Sequence, residues 1–296
     1  MPEATSPLCL MAVLAHPDDE SFAGGVYGKY ADEGVRTVLV TATLGEEGEI
    51  VDPTMDAADV QPRLGAVRTE ELQCSVAALG IGQLHLLGYR DSGMAGTPAN
   101  VNPLAFTNVD FESALTRLVA LVRRERPQVI LCDDENGSYG HPDHIMAHRL
   151  AVAAFDGANN PYRFPVAPGE PGPWQPSKLY YTAWPIEKFM AVRREVIARG
   201  LPDPFESWGS PEESAAEMPS FLQRARRVTT TLDVAPYYER KVASFRCHRT
   251  QFNEKSLAFS LPDDLAQRVF SEESFVLARS RVARTIPETD LFAGLR

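Results

Sequence analysis

The feature that most constrains this chain is the apolar run Leu8 to Leu14, which breaks directly into Ala15-His16-Pro17-Asp18-Asp19-Glu20. A run without polar alternation is a strand covered on both faces, the kind found inside parallel sheets. Pro17 has no N–H to give a ladder, so the strand ends there. One imidazole and three carboxylates thus stand at the carboxyl edge of a buried strand, where open α/β sheets bind ligands. A plainer reading makes Asp18 or Asp19 the N-cap of a helix entered near Ser21. Against it stands a second cluster, Gly140-His141-Pro142-Asp143-His144-Ile145-Met146-Ala147-His148, which holds three of the six histidines in the chain.

Between the two clusters, strand and helix patterns alternate. Residues 21–33 carry helix formers and stop at Gly34. The β-branched segment Arg36 to Thr43 reads as a second buried strand, followed by the acidic loop Gly45 to Glu49. Helical spacing runs from Arg63 to Leu79 and closes at Gly80; Gln83 to Tyr89 is a third strand, ending in Arg90-Asp91-Ser92-Gly93. A helix over 111–124 leads to a fourth strand, Val129 to Cys132, with Asp133-Asp134-Glu135 at its carboxyl end and a helix from His144 to Phe155 after it. This alternation predicts an α/β fold with a doubly wound, mostly parallel, Rossmann-like sheet and right-handed crossovers. Beyond a Pro- and Gly-rich border at 159–176, the patterns predict a strand over 178–184, a helix over 187–199 and an irregular span over 200–220. A strand over 228–233, a helix over 237–247 and a short strand over 275–278 complete the reading. Residues 1–160 are expected to form the catalytic core, and residues 161–296 to continue the fold.

Composition narrows the partners. At 44% apolar residues the chain can bury a large core, and a net charge of −11 argues against nucleic acid or an anionic membrane. No stretch is long and apolar enough to span a bilayer, and residues 1–7 lack the features of a signal peptide. Cys9, Cys74, Cys132 and Cys247 are scattered, form no CxxC, and sit in or beside apolar runs. They are expected to be buried free thiols in a cytoplasmic protein.

Two imidazoles and one carboxylate with an open fourth position make a catalytic zinc shell. His16, Asp19 and one histidine of the second cluster satisfy that count. From residues alone the choice stays open, because His144 and His148 are four apart and could share a helix face. Zn²⁺ is favoured, although Fe²⁺ or another divalent ion suits the same donors. A glycine-rich phosphate cradle is absent after the first strand, and its carboxylates would repel a pyrophosphate, which disfavours a nucleotide-binding enzyme. A binuclear phosphoesterase would need further ligands, for which Asp133 and Asp134 are the candidates.

The pair AHPDDE and YGHPDH resembles the motifs of the LmbE/PIG-L family of zinc-dependent N-deacetylases. Further segments resemble the branch that deacetylates a GlcNAc-inositol in mycothiol biosynthesis: TLGEEGEI at 43–50, Arg68-x-x-Glu71, and RDSGMAGT at 90–97. DENGSYGHPDH at 134–144, CHRTQ at 247–251 and ETDLFAGL at 288–295 are similar to that branch and to the mycothiol S-conjugate amidases. The resemblance implies a Rossmann-like fold whose C-terminal segment caps the pocket. It makes His16, Asp19 and His144 the metal ligands and leaves His148 as a helix residue. It assigns Asp18 as general base, His141 as proton donor to the leaving amine, Asp143 as the partner that orients His141, and Tyr139 as oxyanion stabiliser. Glu49, Arg68 and Asp91 would grip substrate hydroxyls, and His248 would lie in the motif over the pocket. The implied activity is removal of the N-acetyl group from an N-acylglucosamine glycoside. The alternatives are amidase-like cleavage of a larger acyl group and deacetylation of an antibiotic-type amino sugar. The implied partner is a small N-acylated amino sugar; self-association is left open.

Overall fold

A computed structural model describes residues 7–204 and 228–296. Most of the irregular span expected at 200–220 lies outside the described residues. Seven strands form one sheet in the order β3-β2-β1-β4-β5-β7-β6. They are β1 (Cys9–Leu14), β2 (Arg36–Thr43), β3 (Gln83–Tyr89), β4 (Val129–Cys132), β5 (Lys178–Ala183), β6 (Thr230–Asp233) and β7 (Glu272–Ser280). The pairs from β3 across to β5 are parallel, whereas β7 runs antiparallel to both β5 and β6. The expected α/β fold with a mostly parallel sheet is therefore the observed one.

β1 is the central strand the apolar run demands. Cys9, Met11 and Val13 face one layer, packing with α3 (Phe111–Glu125) and α4 (Pro142–Gly157). Leu10, Ala12 and Leu14 face the other, with α1 (Gly24–Asp32) and α2 (Leu64–Leu79). All six residues of β1 are buried. Full burial on both sides explains why the segment shows no alternation. A third apolar cluster joins α5 (Ile186–Ala198), α6 (Tyr238–Cys247) and α7 (Asp263–Phe270). Helix α7 was not anticipated from the sequence, and β7 extends well past the short strand expected over 275–278.

The strand order reverses direction at β1, which lies between β2 and β4. Crossovers to either side leave the carboxyl ends of β1 and β4 side by side, at the crevice in which doubly wound sheets bind ligands. That juxtaposition brings His16 and the second histidine cluster together.

The cysteines depart from expectation. Cys9 and Cys132 are buried free thiols, but Cys74 of α2 and Cys247 of α6 form a disulfide with Cα atoms 5.6 Å apart. The packing of α2 against α6 aligns two residues 173 positions apart, and no sequence spacing announces such a pair. No described helix is long and apolar enough to cross a membrane.

Candidate active site

After β1 the chain turns at Pro17, and Asp18 takes a left-handed backbone conformation with φ 114°. A non-glycine residue there is strained and must be held by its surroundings. Arg68 from α2 does the holding: its guanidinium donates to the carbonyl of Pro17 at 2.5 Å, the Asp18 carboxylate at 3.1 Å and the carbonyl of Gly45 at 2.9 Å. Gly45 has φ +70° and packs so closely on the guanidinium that any Cβ would collide with it. The loops after β1 and β2 are thereby clamped to one cation. Burial raises the Asp18 pKa to about 6, against the pull of Arg68.

Asp19 is anchored by the backbone N–H groups of Ala15 (3.1 Å) and His16 (2.7 Å), both reaching Oδ2. From the other cluster, Pro142 opens α4 and His141 is its N-cap. Gly137, with φ +60°, lies against His144, where a Cβ would fall 2.7 Å from the His144 Cβ. These two loops bring His16 Nδ1 within 3.1 Å of His144 Nε2. Asp19 Oδ1 lies 3.5 Å from the same His144 nitrogen, and Asp19 Oδ2 lies 3.8 Å from His16 Nδ1. His16, His141 and His144 form one buried group of metal-capable donors; His16, Asp91, His141 and Asp143 form another.

The opposite ring nitrogens decide what this cluster is for. His144 Nδ1 lies 2.7 Å from Asp133 Oδ2, and His16 Nε2 lies 3.2 Å from Asp143 Oδ2. A carboxylate acceptor assigns the ring hydrogen to the nitrogen facing it, so each neutral imidazole turns a lone pair into the space they share. Two lone pairs then meet with no hydrogen between them, and the Asp19 carboxylate, a member of neither donor group, flanks them; imidazole nitrogens and a carboxylate oxygen are donors that suit a divalent cation. Burial disfavours a charged His16, yet Asp143, Asp91 and Asp19 outweigh it and raise its pKa well above the usual imidazole value. The pocket calls for positive charge, as a proton or as a metal ion.

The remaining expected residues divide between this pocket and its supports. Tyr139 is 54% exposed, with its ring 5.2 Å from that of His144 and 6.0 Å from that of His141. Asp91 is buried, with Oδ1 3.7 Å from His16 Nε2 and accepting from the Gly93 N–H at 2.8 Å. Glu49 is exposed on the β2 loop, its carbonyl accepting from Gln251 at 2.9 Å. His148 stands apart from both donor groups, its Nδ1 2.9 Å from the carbonyl of Asp133.

Two expected contacts are not made. The Asp143 carboxylate does not pair with His141: Oδ2 takes the Ser92 N–H at 2.9 Å and His16, Oδ1 has no partner, and it is the Asp143 backbone N–H that donates to His141 Nδ1 at 3.1 Å. Burial and the adjacent His16 and His144 push the His141 pKa down to about 3, so Asp143 does not keep it basic. His248 is wholly enclosed, one layer behind the site rather than on its surface, with Nε2 2.5 Å from Glu20 Oε1.

Sequence reasoning overlooked Glu20, the last residue of the first motif. It is fully buried, accepts from the Asp18 N–H at 3.0 Å, and is bound by Ser75 and His248. Burial works against charge on both partners, but their mutual attraction lowers the Glu20 pKa and raises that of His248. The role of Asp133 was likewise missed, although its place at the carboxyl end of β4 was the available signal.

A family model described as PIG-L, GlcNAc-PI de-N-acetylase, matches residues 11–155. A 1D-myo-inositol 2-acetamido-2-deoxy-alpha-D-glucopyranoside deacetylase from Geodermatophilus obscurus is 40% identical over 295 residues, 97% of each chain. Among solved structures, an N,N'-diacetylchitobiose deacetylase from Pyrococcus horikoshii is similar at TM-score 0.59 and 19% identity, covering 91% of this chain and 83% of its own. A 4-carboxy-2-hydroxymuconate hydratase from Pseudomonas putida is equally similar, at TM-score 0.59 and 18% identity over 94% of this chain and 99% of its own. Identity this low conveys the fold alone, and one fold carries both a deacetylase and a hydratase.

Proposed function

The chain belongs to the PIG-L, GlcNAc-PI de-N-acetylase family of deacetylases, and on that premise we propose that it removes the N-acetyl group from a GlcNAc-inositol-type glycoside. The observation that carries this reading is the convergence of the His16 Nδ1 and His144 Nε2 lone pairs beside the Asp19 carboxylate. These three residues would hold a divalent ion, with zinc the best match to two imidazoles and one carboxylate. Such an ion supplies Lewis acidity and lowers the pKa of water.

The protein's own groups supply the proton handling. Asp18, with a pKa near 6 and a carboxylate fixed by Arg68, is matched to take the proton of the attacking water near neutral pH. The Tyr139 hydroxyl donates to the oxygen that becomes negative as the amide carbon turns tetrahedral, an effect worth a few kcal/mol when preorganised. The C–N bond then breaks, and the nitrogen must receive a proton to leave as an amine. Asp18 can pass on the proton it took from water, and His141 assists as a neutral donor: the Asp143 N–H occupies its Nδ1, so the ring offers its Nε2 hydrogen to the departing nitrogen as a hydrogen bond. Asp143 acts on His16 through its side chain and on His141 through its backbone, a division that replaces the expected carboxylate contact. Arg68, Asp91 and Glu49 border the same crevice on the β2 and β3 side and suit the hydroxyls of the sugar and its aglycone. Strands β5, β6 and β7 complete the sheet, and His248 braces the site from behind through Glu20.

The test is a fluorescamine assay for newly formed primary amine, using metal-reconstituted protein and a panel of N-acetylglucosaminides that includes the inositol glycoside. Release of amine with an equal amount of acetate is expected. No amine from any member would sink the proposal.

A further inference from the structure

The disulfide between Cys74 and Cys247 stands next to the groups that grip Glu20. Ser75 follows Cys74 on α2, and His248 follows Cys247 at the end of α6. Both side chains bind the same Glu20 oxygen, Oε1: the Ser75 hydroxyl donates to it, and His248 Nε2 lies 2.5 Å away. The other oxygen, Oε2, accepts the Asp18 N–H at 3.0 Å. Ser244, one turn before His248, joins the group through Ser75 at 2.8 Å and Ser21 at 2.5 Å. Glu20, Ser21, Ser75, Ser244 and His248 are all 0% exposed. One carboxylate thus connects the covalent bond to the backbone of Asp18, whose left-handed conformation persists only while its surroundings hold it.

Access and position suit this bond to switching. Cys74 is exposed and Cys247 half-buried, whereas Cys9 and Cys132 are enclosed in the core. A thiol arriving from solvent therefore meets only the bonded pair, and exposed disulfides are the more easily reduced kind. Cys247 is the last residue of α6, and His248, its C-cap with φ −87° and ψ 63°, lies outside the helix. The helix's own hydrogen bonds stop there, and helix ends open more readily than interiors. The cross-link is what pins this end to α2. A few residues beyond, Glu71 takes the N–H and hydroxyl of Thr250 at 2.8 and 2.6 Å, so the two segments stay joined without the bond. Reduction leaves the fold in place and frees the spacing across Glu20.

We propose that the Cys74–Cys247 disulfide is a thiol-reducible modification site that sets turnover: closed, it fixes Glu20 and, through Glu20, Asp18; open, it lets both relax. Glu20 is then a positioning residue that acts through Asp18. The inference rests on the role given to Asp18 in the deacetylase reading and adds regulation to it. The reductant is a dithiol. One of its thiolates attacks the exposed Cys74 sulfur, the S–S bond breaks, and Cys247 leaves as a thiolate. The second thiolate of the reductant then displaces Cys74, so the dithiol ends as a disulfide. Two electrons and the two thiol protons pass to the cysteines.

The experiment treats metal-reconstituted parental protein with dithiothreitol, removes the reductant, and measures thiols, metal, kcat and KM on the N-acetylglucosaminide panel. Titration of the unfolded chain should rise from two thiols to four. Reduction should lower kcat roughly tenfold to a hundredfold, the scale of an ångström-sized misplacement, with KM changed less than about twofold. Bound metal should be retained, and reoxidation with diamide should restore the rate. Cys74→Ser should show the reduced-state kcat and no response to dithiothreitol, which separates the switch from metal stripping. An unchanged kcat with all four thiols free, no new thiols under the reductant, or a Cys74→Ser protein that responds like the parent would overturn the switch and leave deacetylation intact. Oxidised protein inactive on every glycoside would instead sink the deacetylase reading. Hydrogen exchange then judges the switch without turnover: amides of residues 15–22 should exchange severalfold faster after reduction, and equal exchange refutes it.

Discussion

At the scale of single residues, the site separates groups that hold charge from groups that move protons. Asp18 belongs to neither group of metal-capable donors, and its carboxylate is engaged by Arg68. Asp18→Ala should therefore lower turnover by about 10²–10⁴-fold, the span of general acid–base catalysis, while bound metal stays stoichiometric. Metal analysis alongside the rate assay checks this, and joint loss of metal and rate would make Asp18 a ligand. His144 and His148 offer a sharper contrast, since both are buried on α4 yet only His144 faces His16. His144→Ala should release the metal, whereas His148→Ala should retain it; the reverse pattern would move the site along the helix.

At the scale of elements, three loops are tied together behind the catalytic surface. Arg68 joins the β1 and β2 loops, and Glu71, one turn further along α2, takes the N–H and hydroxyl of Thr250 at 2.8 and 2.6 Å. Glu20 and His248 form an ion pair with both side chains 0% exposed, joining the first motif to the segment after α6. Removing one partner of a buried pair strands the other charge, at a cost of about 3–5 kcal/mol. His248→Ala should accordingly lower the melting temperature by many degrees and loosen the Asp18 loop, which differential scanning calorimetry would register; an unshifted transition would show the pair to be dispensable. The residues of this lattice were readable as motifs, Arg68-x-x-Glu71 and CHRTQ, but their partners were not. Hydrogen bonds spanning 179 or 228 positions leave no periodicity in a sequence. The same reason hid the Cys74–Cys247 disulfide.

For the whole molecule, the cluster joins chain segments 128 positions apart, so a cation bound there stabilises the folded state alone. At a free metal concentration a hundredfold above Kd, linkage adds about 2.7 kcal/mol. Treatment with a chelator should lower the melting temperature by several degrees, and Zn²⁺ should restore it; an unchanged transition would show that the three donors meet no ion. By itself the sequence determined the sheet, because a run such as Leu8 to Leu14 has no stable place except between two covered faces. It also located the chemistry, because imidazoles and carboxylates were written at the ends of β1 and β4. Only the tertiary structure decided how those groups divide their work. Which carboxylate faces which ring nitrogen depends on packing between distant segments, and so Asp133 orients His144 and Asp143 serves His16.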